Sequence, residues 1–308
     1  MHHEATPATR PPAPPPQDEG SATRGFIYAL SAYLIWGAVV LYMKAVAHIS
    51  PIEVIAHRVI WSLPVAGVVL LALGRTADVR AALRSPRMLA MAAVTAAMIS
   101  INWGVYIWAI AVGRTVETAL GYYINPLVTV LLGAVLLGER LERVQWVAVG
   151  LAVAAVGVLT LAAGGVPWVS LVLAFSFAGY GYLRKTLPIG PSQGFFLEVL
   201  LLTPPCLAWV VWVEATGSGH FLAGDAVDTA LLLAAGPLTA VPLLLYGFGA
   251  KMLRISTIGL MQYVAPTIMV LIAVFVFGEP FGVERLFAFG LIWLALALYT
   301  WSILFRRP

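Results

Sequence analysis

The chain has 308 residues, of which 61% are hydrophobic and 10% charged. Soluble globular domains carry about 25% charged residues, so an ordinary soluble domain is excluded and a polytopic membrane protein is implied. The formal charge of +4 is spread over short connections between apolar runs, which reads as membrane topology and not as a nucleic-acid surface.

Residues 1–24 are Pro-rich and polar and lack an apolar h-region, which predicts a disordered tail and not a signal peptide. His2 and His3 in that tail are too few for a metal site, and no cofactor is expected. Ten apolar runs follow, at 25–43, 53–73, 88–111, 116–137, 144–163, 167–183, 195–214, 228–249, 257–277 and 284–304. Each is near the length of about 20 residues that crosses about 30 Å of hydrocarbon.

Polar groups inside hydrocarbon are costly, so each is a site candidate with a packing alternative beside it. The first run carries Trp36 and Tyr42. His57 and Arg58 lie in the second, where Arg58 either snorkels outward or points into an aqueous cavity. In the third, Ala92, Ala96, Ser100 and Gly104 form a small-residue ridge that admits a close helix neighbour. Asn102 and Tyr106 lie one turn apart on another face beside Trp103, while Trp108 reads as an interfacial anchor. The fourth run contains Tyr122-Tyr123-Ile124-Asn125-Pro126 and the ninth contains Gln262-Tyr263-Val264-Ala265-Pro266. Each proline removes the bond to the carbonyl four residues earlier, so Pro126 and Pro266 are expected to kink their spans, either lining a cavity or packing against a neighbour. Glu198 in the seventh run is either a proton-titrating group facing a cavity or a helix-end carboxylate in the headgroup layer. That run also holds the single Cys206, which has no intramolecular partner. Tyr246 is the aromatic of the eighth. Ser218 and His220 fall in a Gly-rich connection and read as loop chemistry.

The chain repeats at an offset of 140 residues. Leu120, Tyr123, Pro126, Gly138, Glu139 and Gly150 fall on Leu260, Tyr263, Pro266, Gly278, Glu279 and Gly290, with 13 identities in the 47 positions of 114–160. The same offset places Tyr42 on Tyr182, Tyr106 on Tyr246 and Arg58 on Glu198. Each repeat holds five runs, and an odd number inverts the second copy in the membrane. The fold expected is an all-α integral membrane protein with ten transmembrane helices as two inverted five-helix repeats, 25–164 and 165–308. Placing both termini in the cytoplasm puts fourteen of the eighteen Lys and Arg residues on that side.

The blocks AYLIWG at 32–37, ISPIEVIAHRVIWSLP at 49–64, INWGVYIWA at 101–109, GRTVETALGYYINPL at 113–127 and STIGLMQYVAPT at 256–267 resemble the RarD subgroup of EamA-type permeases, in the drug/metabolite transporter superfamily. The resemblance covers about 25–305. It implies a ten-helix permease of the bacterial cytoplasmic membrane, a small organic solute such as an amino acid or a chloramphenicol-like compound, and export. Spans one, three and four and their repeat mates are expected to be central, which makes Trp36, Tyr42, Asn102, Trp103, Tyr106, Tyr122, Asn125, Tyr246, Gln262 and Tyr263 candidates for contact with solute. Small four-helix relatives exchange protons at a glutamate in their first span. Residues 25–43 contain no acidic residue, so that coupling does not carry over. HExxH and P-loop motifs are lacking, and the expectation is a transporter and not an enzyme. A structural or regulatory membrane partner is the alternative.

Overall fold

The computed structural model describes residues 19–137, 141–163, 165–186, 190–222, 225–253 and 261–304. It is helical, with no strand among the described residues. The helices are α1 (Glu19–Ala45), α2 (Pro51–Ala72), α3 (Thr76–Leu83), α4 (Pro86–Ala111), α5 (Thr115–Leu137), α6 (Arg143–Ala163), α7 (Trp168–Thr186), α8 (Pro191–Ala215), α9 (Ala226–Met252), α10 (Val264–Phe275) and α11 (Val283–Leu304). Among the described residues seven of them (α1, α2, α4, α6, α8, α9 and α11) are long and apolar enough to cross a membrane, while α7 and α10 contribute shorter apolar segments. The expected multi-pass, all-helical fold is observed, and α3 is an additional short helix in the 74–87 connection.

Local chemistry sets the ends. Proline opens α2, α4 and α8, where a missing N–H costs nothing. Ser85 accepts from the Met88 amide at 3.4 Å and Asp225 from the Val227 amide at 2.9 Å. Gly113, with φ of +75°, closes α4 in a left-handed turn that sends the Arg114 amide back to the Ala109 carbonyl at 2.7 Å. Helix α1 starts at Glu19 and not at 25, so the last residues of the segment expected to be a tail are helical. The prolines of that segment end at Pro16, and an acidic residue in the first turn suits the helix dipole. Gly138, Glu139, Arg254 and Leu260 lie outside the described residues.

The packing is symmetric under the repeat. α1 lies on α9 as α4 lies on α7, and α5 lies on α7 as α10 lies on α1. α2 packs on α8, α5 on α10 and α6 on α11, each pairing a helix with its own counterpart. Gly236 of α9 touches the main chain of Trp61 in α2 so closely that a Cβ there has no room. Side chains such as Leu161, Val68 and Phe275 point outward, 87%, 65% and 79% exposed, as a lipid-facing belt does.

Candidate functional site

Arg58 is the eighth residue of α2, about 10 Å along it from the first residue by helical rise. It does not snorkel: the residue is 8% exposed and its guanidinium stays inside the bundle. Arg58 Nε donates to Thr239 Oγ1 of α9 at 2.8 Å, and Thr239 donates its own proton to the Ala235 carbonyl at 2.8 Å. The guanidinium carbon sits 4.5 Å from the Trp103 ring centroid, a cation–π contact from α4. Nη1 is buried without a partner.

Around this charge α1, α4 and α5 bring polar aromatics. Tyr42 donates to the Leu231 carbonyl at 2.9 Å. Tyr106 and Tyr122 meet edge to face at 5.9 Å, and Tyr122 donates to Asn102 Oδ1 at 3.3 Å. Asn102, 1% exposed, donates in turn to the Leu173 carbonyl and Ser176 Oγ of α7 at 3.1 and 2.9 Å. One turn beyond Tyr122 on α5, Asn125 Oδ1 is buried without a partner. Six expected residues therefore converge: Tyr42, Arg58, Asn102, Trp103, Tyr106 and Tyr122.

The remaining candidates lie elsewhere. Trp36 and Tyr246 pack at 5.6 Å with Tyr33 beside both, forming a separate aromatic cluster between α1 and α9. Tyr263 stacks on its repeat mate Tyr123 at 6.4 Å and 17°, and Tyr123 shares a hydrogen bond of 2.5 Å with Thr267. Gln262 and Tyr263 form a turn that precedes α10. Pro266 is the third residue of that helix, in the first turn, where its missing N–H leaves no gap, so the expected mid-span kink is replaced by a helix start. Pro126 lies inside α5 as expected. Glu198 is 2% exposed and accepts from the Tyr180 hydroxyl at 3.0 Å, so it is enclosed by protein.

His57 faces away from the Arg58 group. It accepts from Trp61 Nε1 at 3.1 Å and packs on Phe221 at 4.8 Å. Phe221 belongs to the α8–α9 connection, which is clasped onto α2. Glu53, 1% exposed, accepts from the His220 amide at 2.7 Å and pairs with its Nδ1 at 2.9 Å. Glu214 accepts from the Phe221 and Leu222 amides at 2.9 and 3.2 Å, and His48 pairs with Asp228 at 2.9 Å. His220 is thus a docking residue and not free loop chemistry. Glu53 lies within the segment 49–64, but its partner stands 167 positions away and no spacing announces it. Thr239, likewise missed, is legible only as one hydroxyl of an apolar run.

At the Arg114 end a cavity of about 190 Å³ is lined by Arg114, Glu117, Leu120, Val166, Arg285 and Phe289. Arg114 is paired with Glu117 through two bonds of 2.7 Å, and Glu279 caps α5 by accepting from the Thr115 and Val116 amides at 2.7 and 2.9 Å. Trp108 lies there against Trp168 at 5.3 Å, under the Arg114 guanidinium. No cluster of metal-ligating side chains occurs among the described residues.

Residues 23–161 match the EamA-like transporter family. The chain is 44% identical over 286 residues to the RarD protein of Streptomyces exfoliatus, covering 93% of this chain and 91% of that one. It is 36% identical to the RarD protein of Escherichia coli, covering 94% and 98%. A solved crystal structure that is 21% identical matches in fold, with a TM-score of 0.58 over 94% of this chain and 97% of the other. Together with the apolar helices, these likenesses establish that the chain belongs to the RarD group of the EamA-like transporter family, within the drug/metabolite transporter superfamily, and is a multi-pass membrane transporter of the bacterial inner membrane.

Proposed function

We propose that the protein is a secondary transporter that exports a small organic metabolite or amphipathic drug by alternating access. The observation that carries this reading is the Arg58 group. It is a buried, polar, aromatic-walled constellation whose members come from α1, α2, α4 and α5 of one repeat and from α7 and α9 of the other. Relative movement of the repeats, 25–164 and 165–308, opens such a junction first to one surface and then to the other. Both termini face the cytoplasm in this reading, because that orientation gathers the basic residues inside. The Glu53–His220 and His48–Asp228 clasps then close the outer side. Small organic solutes such as amino acids and chloramphenicol-like compounds are the classes to test first, with the bilayer as the other partner.

Counterflow in proteoliposomes with a labelled panel of amino acids, aromatic acids and chloramphenicol tests transport, and saturable exchange of one compound is the expected result. A cysteine pair from His48→Cys and Asp228→Cys, in a Cys206→Ala background, tests the mechanism. Oxidation is expected to stop exchange by at least about 10-fold, and reduction to restore it. Flux that persists with the pair cross-linked removes alternating access from the account.

A further inference from the structure

Arg58 is a charge without a counter-charge. Among the described residues no carboxylate comes within 4.0 Å of its guanidinium nitrogens. The titratable groups that act on its charge are the phenols of Tyr42, Tyr106 and Tyr122. Two of these already have partners of their own, Tyr42 on the Leu231 carbonyl and Tyr122 on Asn102. Thr239 occupies the Nε side and Trp103 covers one flat face. The edge carrying Nη1 is left over, buried and without a partner. Buried cations in membrane proteins are paired or face a pathway, and removing one from water without a partner is unfavourable. A bolt between α2 and α9 needs neither the charge nor that free edge, since a neutral donor to Thr239 serves as well.

We infer that the transported solute is an anion, a small organic carboxylate whose oxygens approach the Nη1 edge of Arg58 in the guanidinium plane, with an apolar or aromatic body against Trp103, Tyr106 and Tyr122. This rests on the transporter reading and narrows it. The planar fork matches a carboxylate, and the charge-assisted bonds are worth far more in an enclosed site than in water. Asn125 Oδ1, an acceptor on the Tyr122 face of α5 with no partner, suits a donor elsewhere on the same solute.

The test compares solutes that differ only in charge, at constant ionic strength, on the full-length protein in nanodiscs and in proteoliposomes. 3-Phenylpropionate is set against 3-phenylpropionamide, with phenylphosphonate, benzenesulfonate and phenethylamine as further arms. Thermal unfolding reads binding and counterflow reads transport. The carboxylate is expected to act at a concentration at least about 10-fold lower than the amide. Arg58→Gln is expected to erase that difference, and Arg58→Lys to weaken carboxylate binding by about 10-fold. If Arg58→Gln does not fold, the carboxylate–amide comparison on the unaltered protein still decides. Equal action of the amide, or a preference that survives in folded Arg58→Gln, overturns the inference. A response to the phosphonate or sulfonate with the carboxylate inert overturns the carboxylate assignment. Exchange of the amide or the amine with the anions inert overturns the anion site and leaves transport standing. Silence in every arm, with the protein folded, overturns both.

Discussion

Tyr122–Pro126 and Gln262–Pro266 hold equivalent places in the two repeats, yet their backbones differ. Helix α5 runs through Pro126, so the Tyr122 carbonyl loses its usual amide partner in mid-helix. Ahead of α10 the chain turns at Gln262 and Tyr263, and the first bond of the new helix, from the Thr267 amide to the Tyr263 carbonyl at 3.2 Å, already spans Pro266. The neighbours account for the difference. Tyr122 is fixed by Asn102 and packed between Tyr106 and Phe177, which holds the turn before Pro126 in register. Gln262, its counterpart, has no ring to pack in that way. Sequence symmetry therefore does not enforce conformational symmetry, and the same proline is accommodated once inside a helix and once at a helix start.

Gly121 and Met261, one residue ahead of these segments, sharpen the contrast. A Cβ on Gly121 would lie 2.8 Å from the Ser170 carbonyl oxygen, so α5 meets the main chain of α7 there, whereas Met261 is a large buried side chain at the matching place. Giving the first repeat the residue of the second, Gly121→Met, is expected to have the largest effect, a loss of roughly 3 kcal/mol. Unfolding of purified protein reads this, and a variant as stable as its parent shows that α5 and α7 are not rigidly apposed. The prolines come next. Pro126→Ala restores an amide to the Tyr122 carbonyl and is expected to stabilise by about 1–3 kcal/mol. Pro266→Ala changes stability by less than about 0.5 kcal/mol, because a first-turn proline forfeits no bond. Equal shifts for the two variants break the comparison. Tyr123→Phe, which removes the hydroxyl pair joining the two segments through Thr267, is expected to cost about 1 kcal/mol. Urea or thermal titration beside Thr267→Val tests whether the two losses are one and the same.

The membrane class, the positions of most helices and the internal repeat were legible because hydropathy and the 140-residue offset are properties of the chain itself. Convergence on Arg58 was legible for Tyr42, Asn102, Trp103, Tyr106 and Tyr122, since polar groups in apolar runs have few places to go but inward. Trp36 and Tyr246 were grouped with them because their spans are expected to be central in the resembling family, yet their neighbour Tyr33 draws them into a separate aromatic cluster. The break before α10 was illegible for a physical reason: the motif around Pro266 copies that around Pro126, and the tertiary neighbours decide between the two backbones. The clasp of His220 on Glu53 was hidden likewise, because it joins residues with no shared periodicity.

Helices α1 and α9 each have 27 residues and pack together along their length. At about 1.5 Å per residue each is about 40 Å long, against about 30 Å of hydrocarbon. The molecule thus presents a pair of helices longer than the hydrocarbon they cross. Hydrophobic mismatch acts on that pair: thinner lipid tilts or strains it and thicker lipid relieves it. Since α9 carries Thr239, the setting of Arg58 is tied to acyl-chain length, and the lipid chosen for reconstitution becomes a variable of the site itself.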